Sequence, residues 1–377
     1  MRYVYLTALE NPESVHIKNQ VLPICNSLNA RYIAIIPLFL LSKKKIALID
    51  RTTKHGEAKL RSIFPSYFAY MHVILLPIFI VQCLLMLRKY IFLKERTVFH
   101  CRGLLSSIVA VSIKMLNSDI RVIYDIRGLY CDEGVVIGRW RLNGINYRLW
   151  RKIDNIVKQK ADVLTGVSPN IVEENFQNKF HFIPACTSKN FKFSPSMRSE
   201  IRDHYGIREH EIVLIYTGAL GLWHDEQSLT SMIENLGNLK NLRVILLTDH
   251  PLSFLKNTIS EKIPILQLKV AAHEVSKYLS ASDVGLLPGS SSIDHSHKVI
   301  MKTMISSKAQ EYLCSGLMLS YNDNIDYLVK ITNNVKTPEF FANNADERMR
   351  RSIYFSNIFD VQDVYKKYAS IRDQLFK

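Results

Sequence analysis

In the run SSKAQEYLCSG (306–316), Lys308, Glu311 and Tyr312 stand at i, i+3 and i+4, so on a helix an ammonium, a carboxylate and a ring share one face. Ser307 to Gln310 has the spacing of a capping box, which predicts a short helix that begins at Lys308 and stops at Gly316. A cation near the positive end of such a helix makes a corner suited to a phosphorylated ligand. Ahead of it, the apolar run Val284–Leu287, closed by Pro288 and Gly289, has the character of a buried parallel strand opening into a loop. A second phosphate candidate lies upstream, where Gly218, Ala219, Leu220 and Gly221 follow the apolar run Ile212–Tyr216 and lead through Trp223, His224 and Asp225 into a helical stretch. Glycines there let the backbone approach phosphate oxygens, and the next helix supplies N–H donors. A plain strand-to-helix turn carries the same signature.

The first half of the chain offers two polar strand ends: His100, Cys101, Arg102 and Gly103, then Asp125, Ile126, Arg127 and Gly128, followed by Tyr130, Asp132 and Glu133. Each pairs an arginine with a glycine. Two readings stay open for Asp125 and Arg127, a site and a buried ion pair between strand ends. His100 and His224 are each either a phosphate or sugar contact or a satisfied structural residue. Lys298 and Lys302, four apart, are either phosphate-neutralising or a solvated helix face.

The elements that must carry these residues alternate along the chain. Short apolar runs at Tyr3–Thr7, Ile33–Leu41, Ile46–Asp50, Thr97–His100, Val122–Asp125, Ala161–Val167 and Phe182–Pro184 are separated by helical stretches, including Gly138–Lys160 and one starting at Ser168–Asn170. A second alternating set runs through Ile212–Tyr216, Val244–Thr248, Ile265–Leu268, Val284–Leu287 and Leu317–Tyr321. This pattern predicts an α/β fold of two doubly wound, Rossmann-like domains facing a cleft, with ligands outside the carboxyl ends of the strands. At 377 residues the chain suits two domains of about 150 to 200 residues. The expected division is 1–186, 187–340 and a helical 341–377 that crosses back to the first domain, with Thr187–Ser196 as linker.

Hydrophobic residues at 47% and charged ones at 22% exclude a disordered chain. Net charge is +15, and residues 1–185 carry 26 Lys and Arg against 13 Asp and Glu, whereas 186–377 carry 23 against 21. The excess in the first half points to an anionic partner such as nucleic acid, an anionic membrane or a phosphorylated acceptor. Six scattered cysteines, with no C-x-x-C pair and no histidine at zinc-ligand spacing, predict reduced thiols, no metal, and a cytoplasmic location. The start MRYVYLTALENP reads as a strand and turn and lacks signal-peptide character. Met71–Leu87 is apolar but interrupted by His72, Pro77 and Gln82 and followed by Arg88, Lys89, Lys94 and Arg96. A helix buried in the first domain is the first reading, a helix partly inserted in a membrane surface the second, and a true span the weakest.

Two doubly wound halves, a Gly-rich loop opening the second and a Lys-x-x-Glu-Tyr-Leu-x-x-Gly helix near its end resemble a GT-B glycosyltransferase. SSKAQEYLCSGLMLSYND is similar to the donor-site segment of family 4, and FHCRG with YDIRGLYCDEG to the acceptor-side loops of its bacterial polysaccharide-building branch. The similarity covers most of the chain, thinly before residue 95. It implies an acceptor-side first domain, a nucleotide-sugar donor domain, and retaining, metal-independent transfer of a hexose-type sugar from a UDP- or GDP-linked donor to a hydroxyl of a lipid-linked or growing saccharide. Surface polysaccharide synthesis, of lipopolysaccharide or capsule, on the inner face of the plasma membrane would be the setting. By position, Glu311 would accept from the nucleotide ribose diol, with Lys308 beside it and Gly218–Gly221 facing the diphosphate; Lys302, Ser307 and Tyr312 complete that set. Asp125 and Arg127 would stand near the transferred sugar, and His100, Arg102, Gly103, Asp132 and Glu133 on the acceptor side. Two departures stand out. Thr303 occupies the place of a common glutamate, and Trp223, His224, Asp225 and Glu226 follow the Gly-rich loop where the family commonly has an arginine and a lysine. A non-hydrolysing epimerase, a non-catalytic nucleotide-sugar or polyanion-binding protein and, last, a nucleic-acid binder are the alternatives. Product analysis without acceptor, binding without turnover, and strongly salt-dependent DNA affinity would distinguish them.

Overall fold

In the computed structural model the chain divides into two compact units, Met1–Pro184 with Val364–Lys377, and Ala185–Asp363. The structure describes residues 1–11, 14, 16–37, 59–63, 72–185, 191–237, 239–253, 255, 259, 263–290, 294–303, 306–321 and 345–376.

The first unit is built on a parallel sheet of β1 (Arg2–Ala8), β2 (Arg31–Pro37), β3 (Lys59–Ile63), β4 (Thr97–Arg102), β5 (Ile120–Ile126), β6 (Val163–Gly166) and β7 (Phe180–Phe182), in the order β3-β2-β1-β4-β5-β6-β7. Central strands of such a sheet are covered on both faces, which is why every residue of β4 is buried, His100 and Arg102 included. The order reverses between β1 and β4, so their carboxyl ends flank a crevice of the kind that holds ligands. Around the sheet stand α1 (Leu22–Ser27), α2 (Leu76–Met86), α3 (Arg88–Ile91), α4 (Leu104–Leu116), α5 (Tyr130–Val136) and α6 (Ile145–Lys160). The apolar α4 packs on β4 and β5 and against both α2 and α6.

Several expectations shift. The strand β3 was not foreseen, because LRS places charged and polar residues in its middle. Ile46–Asp50 lies outside the described residues, as does the end of Ile33–Leu41. The helix expected from Gly138 begins at Ile145, since Gly138 and Asn143 adopt left-handed backbone with φ of 74° and 60°. After Ser168–Asn170 there is a 3-10 turn at Glu174–Lys179 in place of a helix starting there. The last strand of the unit is Phe180–Phe182. Within Met71–Leu87, of which Met71 is not described, the helix α2 buries Leu76, Phe79 and Cys83 only, so it is not the buried helix first expected. Among the described residues no helix is long and apolar enough to cross a membrane.

The second unit repeats the plan with β8 (Ile212–Thr217), β9 (Leu242–Leu247), β10 (Ile265–Leu268), β11 (Val284–Leu287) and β12 (Met318–Tyr321), all parallel, in the order β10-β9-β8-β11-β12. Its reversal falls between β8 and β11. Among the described residues its helices are α7 (Pro195–His204), α8 (Glu226–Leu236), α9 (Val275–Ala281), α10 (His295–Thr303), α11 (Ser307–Cys314) and α12 (Ala345–Ile358). Leu229 and Ile233 of α8 fill one side of the core with Leu214, Val244 and Leu286 from the strands. Pro195, expected to close the linker, opens α7, with Ser194 as its cap. At the amino end of the sheet the Asp283 carboxylate accepts from Arg198 (3.0 Å), Arg202 (2.8 Å) and the Val213 N–H (2.8 Å), with Arg348 of α12 at 3.7 Å.

Of the helices expected to cross back, only the last does. The helix α12 packs on α11 within the second unit, whereas α13 (Val361–Gln374) packs into the first. There the Tyr368 ring lies 4.5 Å from that of His100. Cys25, Cys83, Cys101, Cys131 and Cys314 are buried free thiols, and Cys186 is outside the described residues.

Candidate functional site

In the second unit the carboxyl ends of β8 and β11 and the start of α11 converge. Ser306, not Ser307, caps α11, its hydroxyl accepting from the Lys308 N–H at 3.3 Å, and Ser307 is exposed. The Lys308 side chain lies across the loop after β8: its Nζ donates to the Tyr216 hydroxyl at 2.9 Å and stands over that ring. Tyr216 in turn donates to the Ala219 carbonyl at 2.8 Å. Gly218 has φ of 93°, and a side chain there would meet the Lys308 methylene at 3.1 Å, so position 218 is suited to glycine twice over. Ala219 and Gly221 are exposed, whereas Leu220 turns into the core.

Among the described residues Glu311, one turn along α11, makes no side-chain hydrogen bond or ion pair, Lys308 included, and burial pushes its carboxyl up to about 7. Burial likewise pushes Lys308 down to about 8, against the attraction of Glu311. Water is largely withdrawn from both groups, and nothing among the described residues of the unit replaces it for Glu311. Tyr312 faces the other way. Fully buried, its hydroxyl accepts from the Thr217 N–H at 2.9 Å and its ring fills the space left by Gly285, so it shapes the loop and does not line it.

The loop wall continues through His224, whose Nδ1 donates to the Pro288 carbonyl. Burial, and then the charge of Lys308, push this imidazole down to about 4, so it is neutral at physiological pH. Asp225, one of the residues that depart from the resembled pattern, caps α8 by accepting from the Ser228 N–H at 2.7 Å. The Thr303 hydroxyl is bonded to the Val299 and Ile300 carbonyls of its own helix. Lys298 is exposed on α10, and the Lys302 side chain lies outside the described residues.

In the first unit the expected residues separate into two groups. Arg102, Gly103 and Glu133 line a cavity of about 390 Å³ at the ends of β1 and β4, together with Glu10, Tyr130 and Arg139. Glu10 accepts from Arg102 Nε at 3.0 Å, and burial holds both Glu10 and Glu133 above the usual carboxylate range, against the opposing pull of Arg102 and Arg139 respectively. Leu9, at the rim, has a φ of 61°, a strained value for leucine. Sequence reasoning missed Glu10, although it lies just past the end of β1. It also missed Arg139, which only the left-handed turn at Gly138 brings back to the cavity.

The other group is enclosed. Asp125 is 1% exposed; its oxygens accept from Arg127 Nε (2.7 Å) and the Thr165 hydroxyl (3.0 Å), with the Tyr368 hydroxyl at 3.4 Å and His100 Nε2 at 3.6 Å. The Arg127 guanidinium, foremost among its neighbours, holds the Asp125 carboxyl far below the usual range despite burial. Burial, against the pull of Asp125, lowers the His100 imidazole below its ordinary value, and its Nδ1 lies 3.0 Å from the Tyr3 hydroxyl. Asp132 is likewise buried and taken up by the Tyr147 hydroxyl at 3.1 Å and by Arg151 at 3.5 Å. Hence His100, Asp125 and Asp132, expected to line a sugar pocket, are tied into the interior by hydrogen bonds the strand ends need. Among the described residues no cluster of His, Cys, Asp and Glu could hold a metal ion.

Two doubly wound parallel sheets, each with its crevice at the reversal of strand order, define the α/β architecture of the GT-B glycosyltransferases. Solved structures bear out that fold over the whole chain. HepE of Anabaena, in complex with UDP, superposes with a TM-score of 0.63 at 12% identity, covering 100% of both chains. A glycosyltransferase from Rickettsia africae gives 0.57 at 12% identity, covering 100% of this chain and 99% of that one. A UDP-forming α,α-trehalose-phosphate synthase from Burkholderia xenovorans gives 0.58 at 9% identity, covering 98% of each. No protein-family model and no curated protein matches the sequence.

Proposed function

We propose that the chain is a glycosyltransferase that moves a hexose-type sugar from a UDP- or GDP-linked donor to a hydroxyl of a lipid-linked or growing saccharide, with retention and without a bound metal, in surface polysaccharide synthesis on an anionic membrane. The observation that carries this reading is Glu311, a largely buried carboxylate with no hydrogen-bond or ion-pair partner among the described residues, one turn from a lysine that spans a glycine loop. A ribose diol donates two hydroxyl hydrogens to such a carboxylate, and a diphosphate against Gly218–Gly221 meets Lys308 and the first N–H groups of α11. As the bond from the sugar to the diphosphate breaks, the electron pair leaves with the phosphate oxygen, and that growing charge is what Lys308 is placed to stabilise. The acceptor oxygen forms the new bond to the anomeric carbon and its proton passes to the departing diphosphate. The 390 Å³ cavity, with Glu10, Arg102, Glu133 and Arg139, is suited to the acceptor, since carboxylates and guanidinium groups together satisfy both sides of a sugar hydroxyl. Asp125 and Arg127 then position the strand end rather than touch substrate. Structures of HepE with UDP, with UDP-glucose, and with UDP and glucose support a UDP donor.

A thermal-shift panel with UDP, GDP and their sugars tests this. A true donor at about 100 times its dissociation constant stabilises by roughly 2.7 kcal/mol, and Glu311→Ala abolishes the shift without unfolding the protein. No shift with any nucleotide sugar sinks the reading. Thr303, whose hydroxyl is spent on its own helix where a glutamate is common in the family, favours one second reading, a nucleotide-sugar-binding protein without turnover. Binding with no product across a panel of acceptors would establish it.

A further inference from the structure

On α2 the face turned from the sheet is as apolar as the face turned toward it. Phe79 and Cys83 are buried, yet Ile78, Val81 and Leu85 are 47, 55 and 65% exposed, and Ile74, in the 3-10 turn just ahead, is 81% exposed. Positions 74, 78, 81 and 85 follow the spacing of a single helix stripe, and beyond the break at Leu87 come Arg88 and Phe92, both exposed. The helix α6, on the other flank of α4, touches the turn that carries Ile74. It too exposes a row, Ile145, Leu149, Lys152 and Ile156, with Arg148 alongside. Apolar side chains scattered singly over a surface are ordinary; two neighbouring rows mark an interaction face.

Charge selects what covers it. Residues 72–96 and 137–160 expose ten Lys and Arg, the buried Lys158 aside, against two carboxylates, Glu95 and Asp154. Both acids are already paired, with Arg2 and Lys158 respectively. A second copy of the chain would bring like charge against like, whereas an anionic lipid leaflet neutralises the cations and takes up the apolar rows.

We propose that α2 and α6 form a membrane-docking face that lies in the interface of a bilayer containing anionic lipid. Ile74, Ile78, Val81 and Leu85 enter the acyl boundary, and Arg88, Arg148 and Lys152 sit at the level of the phosphates. The proposal deepens the membrane part of the function proposed above and rests on that reading for its purpose. Full-length protein sedimented with vesicles of equimolar phosphatidylglycerol and phosphatidylcholine is expected to bind, with weakening by salt, and not to bind phosphatidylcholine alone. Ile78→Gln/Leu85→Gln lowers the partition coefficient about 100-fold, near tenfold for each side chain withdrawn, while the thermal midpoint and the UDP-induced shift stay as in the parent. Arg148→Glu/Lys152→Glu lowers binding to the anionic vesicles as well. A missing UDP shift with vesicle binding intact would fault the transferase reading and leave the docking face standing. Absence of binding to anionic vesicles overturns the proposal, as does binding that Ile78→Gln/Leu85→Gln leaves unchanged. A solution dimer split by that variant also overturns it, by showing that a second copy is the occupant.

Discussion

Glu311 and Lys308 sit close together, both largely out of water, each pushed by burial toward its neutral form, at about 7 and about 8. A bound nucleotide needs the charged form of both, the carboxylate for the ribose and the ammonium for the phosphates. Affinity for UDP should therefore peak between about pH 7 and 8, falling on the acid side as Glu311 takes up a proton and on the alkaline side as Lys308 loses one. Calorimetric titration across pH checks this, and Lys308→Met should lose the alkaline limb along with much of the affinity. The same burial has a stability consequence of definite sign. Because the folded state holds the Glu311 proton more tightly than the unfolded chain does, stability is lost as pH rises from the ordinary glutamate value toward about 7. Glu311→Gln removes that loss, so at pH near 8 it should melt above the parent while failing to bind UDP. A variant both inactive and less stable would show that Glu311 serves the fold.

The Asp125 network acts between elements. One carboxylate at the end of β5 gathers Arg127, the Thr165 hydroxyl of β6 and the Tyr368 hydroxyl of α13, which also accepts from Arg127 at 3.2 Å. Removing the charge while keeping the shape leaves a buried guanidinium unpaired, so Asp125→Asn should cost about 3 to 5 kcal/mol in urea unfolding, whereas Tyr368→Phe should cost about 1. Strand ends of this kind were legible in the sequence, because apolar runs stop where polar residues begin and that boundary is set by burial. Which of those polar residues faces a ligand was not legible. His100 and Arg102 are two apart in one strand; the first lies between the tilted rings of Tyr5 and Tyr368, the second opens to the cavity, and what separates them is the arrival of a helix that starts only at Val361. In the second unit the closeness of the Gly218–Gly221 loop to Lys308 was legible, since local turns and one short helix place them, whereas the inward turns of Leu220 and Tyr312 and the cap at Ser306 were not. Tyr216 was not, because nothing in a buried strand shows which hydroxyl will meet a lysine.

At the scale of the molecule, the first unit is made from both ends of the chain and the second from a single continuous segment. A chain ending after Asp363 should keep the UDP-dependent thermal shift of the second unit while the first unit loses protection in hydrogen exchange, most of all at β4 and β5. Equal protection in the truncated chain would show that α13 contributes little. This division also fixes an order of events at the ribosome. The helix α13, which covers His100 and Asp125, is made only after the second unit's segment, so the first unit must wait, its sheet formed but uncapped, while the second unit completes itself in the meantime. For that interval β4 and β5 have not reached their final surroundings, and holdase chaperones should be found on them in the nascent chain until α13 has emerged.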